Sequence, residues 1–465
     1  MTSKSNRHFQ LGGAYRLFAA FFAIAVLTGC KLNFGDLGPC AVCLGPPTQA
    51  GLDGTLSGLV GSRLQLQNNG AGGGPINGAA SNGTVVAFAS APFNTAYDLT
   101  VQTQPTNPSQ TCVVTNGTGT AGTSDVTNIA VTCTTNPPRF AYVVNRGANN
   151  VSAYSVDATT GALTAIAGSP FAAGTLPVAI AVDQTGHFAY VVNQTDATIS
   201  AFTIDRTSGV LTEVNGSPFA TGSAPTSVAI DPSSAFLYVT NSDANTVSAY
   251  AITPVSGVLT AVTGSPFTTG GSPAAVTVSP LEFAVYVANR SDGTISVFSI
   301  DNGALTPFMA SPFAVGMGPR ALSSDPSGQY LYVANATANT ISVLLNGESA
   351  IAGSPFATGS NPSSVAVDPL DNYVYVANQG SNNVSAFTLD ATTGALTVVP
   401  GSPFAAGNQS SAVAIDPTGM FTYVVNSGAD SVSVYAIDPT TGALTPIGAS
   451  SIATGTQPTA IAISD

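Results

Sequence analysis

Tryptophan is absent from the 465 residues, histidine occurs twice, methionine four times, and lysine and arginine together only ten times. Each shortage excludes something. Ten basic residues against 23 acidic ones leave a net charge of −13, and such a chain has no basic face for a phosphate backbone, which rules out nucleic acid as a partner. Two histidines and five cysteines form no His/Cys cluster, and the acidic residues of the loops stand singly. Neither a metal nor a cofactor is expected. Charged residues make up 7% of the chain, where an average globular protein has roughly a quarter. The surface must therefore be polar through hydroxyls and amides. The chain is not disordered, because 44% of it is hydrophobic, ample to bury a core.

What is present begins with an address. Lys4, Arg7 and Arg16 precede an apolar run from Leu17 to Leu27, too short to span a bilayer as a mature helix, and small residues follow. The run ends in Leu27-Thr28-Gly29-Cys30, which resembles the bacterial lipobox. That resemblance implies cleavage after residue 29 and a lipid on Cys30. Lys31 stands where an Asp would retain such a lipoprotein at the inner membrane, so outer-membrane anchoring in the cell envelope is expected, periplasmic or surface-exposed. Cleavage removes three of the ten basic residues and none of the 23 acids, taking the net charge from −13 to −16. The mature chain is thus expected to meet the membrane through its N-terminal lipid only.

Four further cysteines remain in an oxidising compartment. Cys112 and Cys133 flank a Gly/Thr-rich, hairpin-like stretch and are expected to pair. Cys40 and Cys43 have redox spacing but lie in a Gly/Pro-rich tether without a strand–helix unit to activate a thiol, and a structural or idle bridge is the reading there. The predicted organisation is a signal peptide at 1–29, a lipidated Cys30 and tether at 30–50, a small disulfide-bonded β-sandwich at 51–136, and a repeat array at 137–465. The sandwich rests on runs such as Leu64–Gln67, Val85–Phe88, Leu99–Gln102 and Val126–Val131, which alternate apolar and polar residues between Gly, Asn and Pro. That is the pattern of short antiparallel strands with one face buried.

The array announces itself by repetition. Tyr142-Val143-Val144-Asn145 recurs with Asn at 193, 241, 289, 335, 378 and 426, at spacings of 48, 48, 48, 46, 43 and 48 residues. This period suits a four-stranded propeller blade. Each period holds four apolar runs, typified by Ser227–Ile230, Leu237–Thr240, Val247–Tyr250 and Leu259–Val262, which we label strands a to d. Asp-Pro turns such as Asp231-Pro232 join a to b, and Thr-x-Gly-x-Leu turns such as Thr159 to Leu163 join c to d. The two shorter spacings lose residues near that second turn. The array starts on a b strand at Phe140 and ends on a lone a strand at Ala460–Ile463. The C-terminal strand therefore supplies the missing innermost strand of the first blade, and an all-β, seven-bladed propeller closed by its own tail follows.

Features shared by every blade serve the blade. The strand-b tyrosines, the strand-c aromatics and the Ser-Pro-Phe phenylalanines (Phe171, Phe219, Phe267, Phe313, Phe356, Phe404) read as inter-blade packing. The seven Asn residues read as caps of the b-to-c loops. The Tyr-Val-x-Asn, Val-Ser-x-Tyr/Phe, Thr-Gly-x-Leu-Thr and Pro-x-x-Val-Ala-x-Asp motifs over residues 139–465 resemble the lactonase-like seven-bladed propellers, a family of 6-phosphogluconolactonase and muconate cycloisomerase relatives. The resemblance implies catalysis at the central face by His, Glu and Arg, with arginine gripping a carboxylate or phosphate.

The acid–base half of that set is missing from the sequence. His187 is the only mature histidine and sits in an a-to-b turn, Glu213 is in an outer strand, Glu282 is in an a-to-b turn and Glu348 is near a c-to-d turn. No catalytic residue is assigned, since hydrolysis needs a base within reach of a water. Blade-to-blade exceptions mark the candidate ligand site. Arg146 and Arg290 follow the capping Asn, Arg320 opens an a strand, and Asp196, Asp243, Asp292 and Asp430 come from b-to-c loops of the same face. Two functions stay open. One is a non-catalytic, monomeric binding module for a protein, glycan or small anionic ligand; the other is a hydrolase of a sugar lactone.

Overall fold

The structure, a computed structural model, describes residues 49–464 apart from 61–63, 71–73, 77–82, 106–109, 136–139, 282 and 449–450. Cys30, Cys40, Cys43 and Glu282 lie outside the described residues. Every regular element among those described is a strand.

The first eight strands form two four-stranded sheets. One contains β1 (Gln49–Ser57), β4 (Gly83–Pro92), β6 (Gln110–Thr115) and β8 (Val126–Thr135); the other contains β2 (Gln65–Asn68), β3 (Gly74–Ile76), β5 (Ala96–Thr103) and β7 (Thr118–Thr120). Leu52, Phe88, Ile129 and Val131 of the first sheet share one core with Leu66, Tyr97 and Leu99 of the second. β1 starts at Gln49, upstream of the expected boundary at 51, and pairs with β8 in parallel, whereas the alternating runs suggested antiparallel strands throughout. Alternation reports which face is buried, not which way a neighbour runs. Cys112 and Cys133 stand directly opposite each other on β6 and β8 and are disulfide-bonded. The segment between them is not a plain hairpin, because β7 leaves to pair with β5 in the other sheet.

Seven further sheets, each ordered d-c-b-a, are the blades. Blade 1 takes strand b from Phe140–Asn145, c from Asn150–Val156 and d from Leu163–Ala165, and its innermost strand is Pro458–Ser464 at the opposite end of the chain. Ile461 pairs with Val143 and Ala462 with Tyr142. Seven inter-blade cores alternate with the sheets, and one of them joins Tyr423 and Val425 of blade 7 to Val143 and Tyr154 of blade 1. The ring is closed without an edge at the junction. Strand b is apolar on both faces because it packs against a neighbouring blade on each side; Tyr142, Tyr190 and Tyr423 are wholly buried.

Hydroxyls of those tyrosines tie blades together. Tyr142, Tyr190 and Tyr375 donate to the carbonyls of Gly209, Gly257 and Gly442 in the c-to-d turn of the next blade, and Tyr423 of blade 7 donates to Gly161 of blade 1 at 3.0 Å. The Ser-Pro-Phe segments do more than follow strand d. The Ser-Pro peptide bond is cis in six blades, and the Phe resumes pairing with strand c, as Phe171 does with Val151. Across the break, Ser169 Oγ accepts the Ala153 amide that strand d leaves free. The short c-to-d turns at 302–303 and 346–348 account for the two shortened repeats.

Candidate functional site

The Asn that closes strand b holds more than its own loop. Asn289 Nδ2 donates to Thr294 Oγ1 and Ser296 Oγ, and its Oδ1 accepts from the Gly270 amide in the segment arriving from the previous blade. A Cβ on Gly270 would lie 2.6 Å from Asn289 Cγ, so only glycine allows the approach. The residue after the Asn is pinned in turn, because its amide donates to the d-to-a segment: Arg146 to Gln457 O and Arg290 to Ser272 O.

Beside it the a–b ladder slips by one residue in every blade. In blade 5, Pro319 pairs with Asn335 but Ala321 pairs with Ala334. The residue left between is a bulge that re-aims its side chain. All seven bulge residues, Val178, Thr226, Ala274, Arg320, Ser363, Ser411 and Thr459, line one axial cavity of about 600 Å³. Arg146 and Arg290 line it as well. Two stacked rings of positions, one on the bulges and one after the Asn residues, thus converge on the axis, and the three arginines occupy exceptions within them.

At three bulges the side chain only stitches the ring. Thr226, Ser363 and Ser411 donate to the carbonyls of Pro273, Ser410 and Pro458, each the first residue of the next inner strand. Arg320 instead reaches across to blade 6, where its Nη1 donates to Gln379 Oε1 at 2.7 Å. Burial and the neighbouring Arg290 charge pull its guanidinium below the ordinary value, yet an arginine starts high enough to stay charged. On the blade 1 side, Arg146 Nε and Thr459 Oγ1 are buried without a hydrogen-bond partner. No Asp, Glu, His, Lys, Cys or Tyr lines this cavity among the described residues. Clustered cations with no carboxylate between them favour an anion.

Of the four aspartates only Asp292 shares a cavity with an arginine. Asp196 Oδ2 accepts the Thr175 amide at 2.6 Å, Asp292 Oδ2 accepts the Gly271 amide at 2.6 Å, and Asp430 Oδ1 accepts the Gln457 amide at 2.7 Å. Each braces its loop against the d-to-a segment. Asp243 is exposed in the b-to-c loop of blade 3, and only Asp292 lines a cavity, a second one beside Arg290. His187 is exposed on the opposite face, 2.8 Å from Thr185 Oγ1. Thr185 bonds to Asp183, and the same contact recurs as Ser233–Asp231, Ser327–Asp325 and Thr418–Asp416. It is the a-to-b turn of the repeat, not an acid–base relay.

Sequence reasoning missed the amides. Gln194, Gln379, Gln409 and Gln457 all line the cavity; the first two share the sequence position of Arg146 and Arg290, and alignment of the repeats at the residue before strand a would have found the others. That position has positive φ in every blade, 53° at Gln409 and 49° at Gln457, and this aims the side chains at the axis. On the far side, a cavity of about 390 Å³ lies among the Asp-Pro turns. Val365 and Val413, on the inner strands of blades 6 and 7, line both cavities. Among those turns Asp368 is pushed up to about 6, chiefly by burial. Leu370 stands where other turns place the hydroxyl of Ser233, Ser327 or Thr418, and Asp368 is held instead by the Leu370 amide at 3.2 Å, the Asn372 amide at 3.4 Å and the Asn372 side chain.

A family profile described as lactonase, 7-bladed beta-propeller, matches residues 94–220, 261–350, 346–402 and 396–465. No curated protein sequence matches the chain. Among solved structures, a candidate 6-phosphogluconolactonase from Bacteroides fragilis is similar with a TM-score of 0.64 at 21% identity, covering 71% of this chain and 99% of its own. A second candidate 6-phosphogluconolactonase, from Bacteroides uniformis, gives 0.63 at 18% identity with 70% and 100% covered. The periplasmic gluconolactonase of Pseudomonas aeruginosa gives 0.58 at 17% identity with 70% and 99% covered. At these identities the likeness is one of fold.

Proposed function

Because the chain belongs to the seven-bladed lactonase β-propeller family, we propose that it uses that fold as an envelope-anchored binding module, whose axial cavity takes an anionic ligand without hydrolysing it. The observation that carries this reading is the composition of the cavity: three guanidiniums, four carboxamides and several hydroxyls, and among the described residues no group able to accept a proton at neutral pH. Arginine and amide donors would bind and orient an anion. Opening a lactone needs in addition a base positioned at the attacking water. The lipobox-like Leu27–Cys30 sequence supports the anchor. Strand b of blade 1 begins at the a-to-b turn end, so Phe140 lies on the face away from the arginines.

Lactone hydrolysis is the second reading, favoured by the 6-phosphogluconolactonase and gluconolactonase relatives together with the arginine trio. One experiment separates the two. The mature chain carrying Cys30→Ser is titrated with sugar acids and assayed with a panel of sugar lactones. Saturable binding of the acids with lactone opening at the spontaneous rate supports the module. Turnover that falls by orders of magnitude when Arg146, Arg290 and Arg320 are each replaced by Ala would instead establish the hydrolase.

A further inference from the structure

The arginine cavity does not end at its rim. A second cavity of about 760 Å³ on the same face shares Gln194, Thr226, Ala274 and Arg290 with it, so the two are one elongated depression with Arg290 at the joint. The outer part runs over blades 3 to 5 and is lined by Ser242, Ser272, Ser291, Asp292, Thr337 and Met317. Its chemistry differs from that of the axial part. Among the described residues it holds, beyond Arg290, no further cation, one carboxylate, several hydroxyls and one long apolar side chain, Met317, which is 65% exposed. Ligand sites usually occupy about 300–1,000 Å³, and the axial part alone falls in that range. The outer part leaves room beside it for more of a ligand.

Resting on the anion-binding reading above, we propose that the ligand is an acidic glycan: a uronate-type carboxylate sits at the arginines, and neutral sugars extend over Ser242, Ser272, Ser291 and Thr337. The charge pattern selects this class. Asp292 accepts hydrogen bonds from sugar hydroxyls but repels a second carboxylate placed next to the first, which disfavours an acidic peptide. Serine and threonine hydroxyls both donate and accept, matching sugar hydroxyls, and Met317 offers an apolar surface to the C–H face of a ring.

The test is calorimetry on the mature Cys30→Ser protein with glucuronate, with glucuronosyl-xylobiose (one uronate and two neutral sugars), and with a peptide carrying three glutamates. The trisaccharide is expected to bind about tenfold or more tighter than glucuronate. A Ser242→Leu/Thr337→Leu variant with an unchanged melting temperature removes that advantage and leaves glucuronate affinity as it was, whereas Arg320→Gln weakens both ligands. Equal affinity for the two sugars overturns the outer subsite and leaves the anion-binding reading standing. Tighter binding of the peptide than of the trisaccharide overturns the glycan assignment. Absence of binding by all three overturns both readings together.

Discussion

Replacing Arg320 by Gln should raise the stability of the ligand-free protein while weakening anion binding. The guanidinium is half-buried at a bulge, bonded to a neutral amide at Gln379 and repelled by Arg290. Burying a charge without an ionic partner is costly. Removing it should therefore gain roughly 1 kcal/mol, set against the loss of one hydrogen bond to Gln379. In a protein larger than the 150–250-residue domains for which 1 kcal/mol moves the midpoint by about 2–4 °C, the shift is roughly one or two degrees upward. Binding moves the other way. A hydrogen bond to a charged group contributes about 1.5–3 kcal/mol, so affinity for glucuronate should fall by about 10- to 150-fold. Scanning calorimetry with and without ligand measures both effects, and the wild type should gain more than the variant from added salt, which screens the Arg290–Arg320 repulsion. A lower midpoint for the ligand-free variant together with unchanged affinity would refute the picture of an uncompensated cation held ready for an anion.

Asp368 is raised from 3.8 to about 6; the folded state therefore binds its proton more tightly than the unfolded chain, and this stabilisation, complete below about pH 4, is lost as pH rises through 6. The shift corresponds to about 3 kcal/mol at most, so the melting temperature should be higher near about pH 5 than at neutrality, and Asp368→Asn should diminish that difference; superimposable pH profiles for variant and wild type would argue against it. Tyr423→Phe deletes the hydroxyl contact with Gly161 that spans the ring junction and should cost about 1 kcal/mol, read as a lower denaturation midpoint with an unchanged circular dichroism spectrum. Replacing Cys112 and Cys133 by Ser opens a bridge spanning 21 positions and should destabilise the sandwich by about 2–4 kcal/mol. The propeller transition should stay where it is, and a shift of both transitions together would show that the two parts unfold as one.

Much of this molecule is legible from its repeats, for a physical reason. A strand packed on both faces must be apolar throughout, so Tyr-Val-x-Asn marks the same strand seven times. Its spacing counts the blades, and the offset between Phe140 and Ile463 tells where the ring joins. The arginines were findable as departures from the repeat. What stayed hidden depends on register rather than on residue type. Nothing in Pro319-Arg320-Ala321 announces a bulge, because a slipped ladder belongs to two strands at once. Gln409 and Gln457 face the axis only because the backbone turns left-handed there. Asp196, Asp292 and Asp430 were readable as loop residues of the arginine face, but their amide partners lie 21 to 27 positions away in another loop, beyond any local pattern.

The strand Pro458–Ser464 also fixes when the ring can close. Strand b of blade 1 leaves the ribosome more than three hundred positions before its partner, a wait of roughly half a minute at ordinary elongation rates. During that interval six blades can zip up one after another, while the first keeps an unpaired ladder. A chain that stops short of Pro458–Ser464 leaves the inner edge of the first blade unpaired and the ring open.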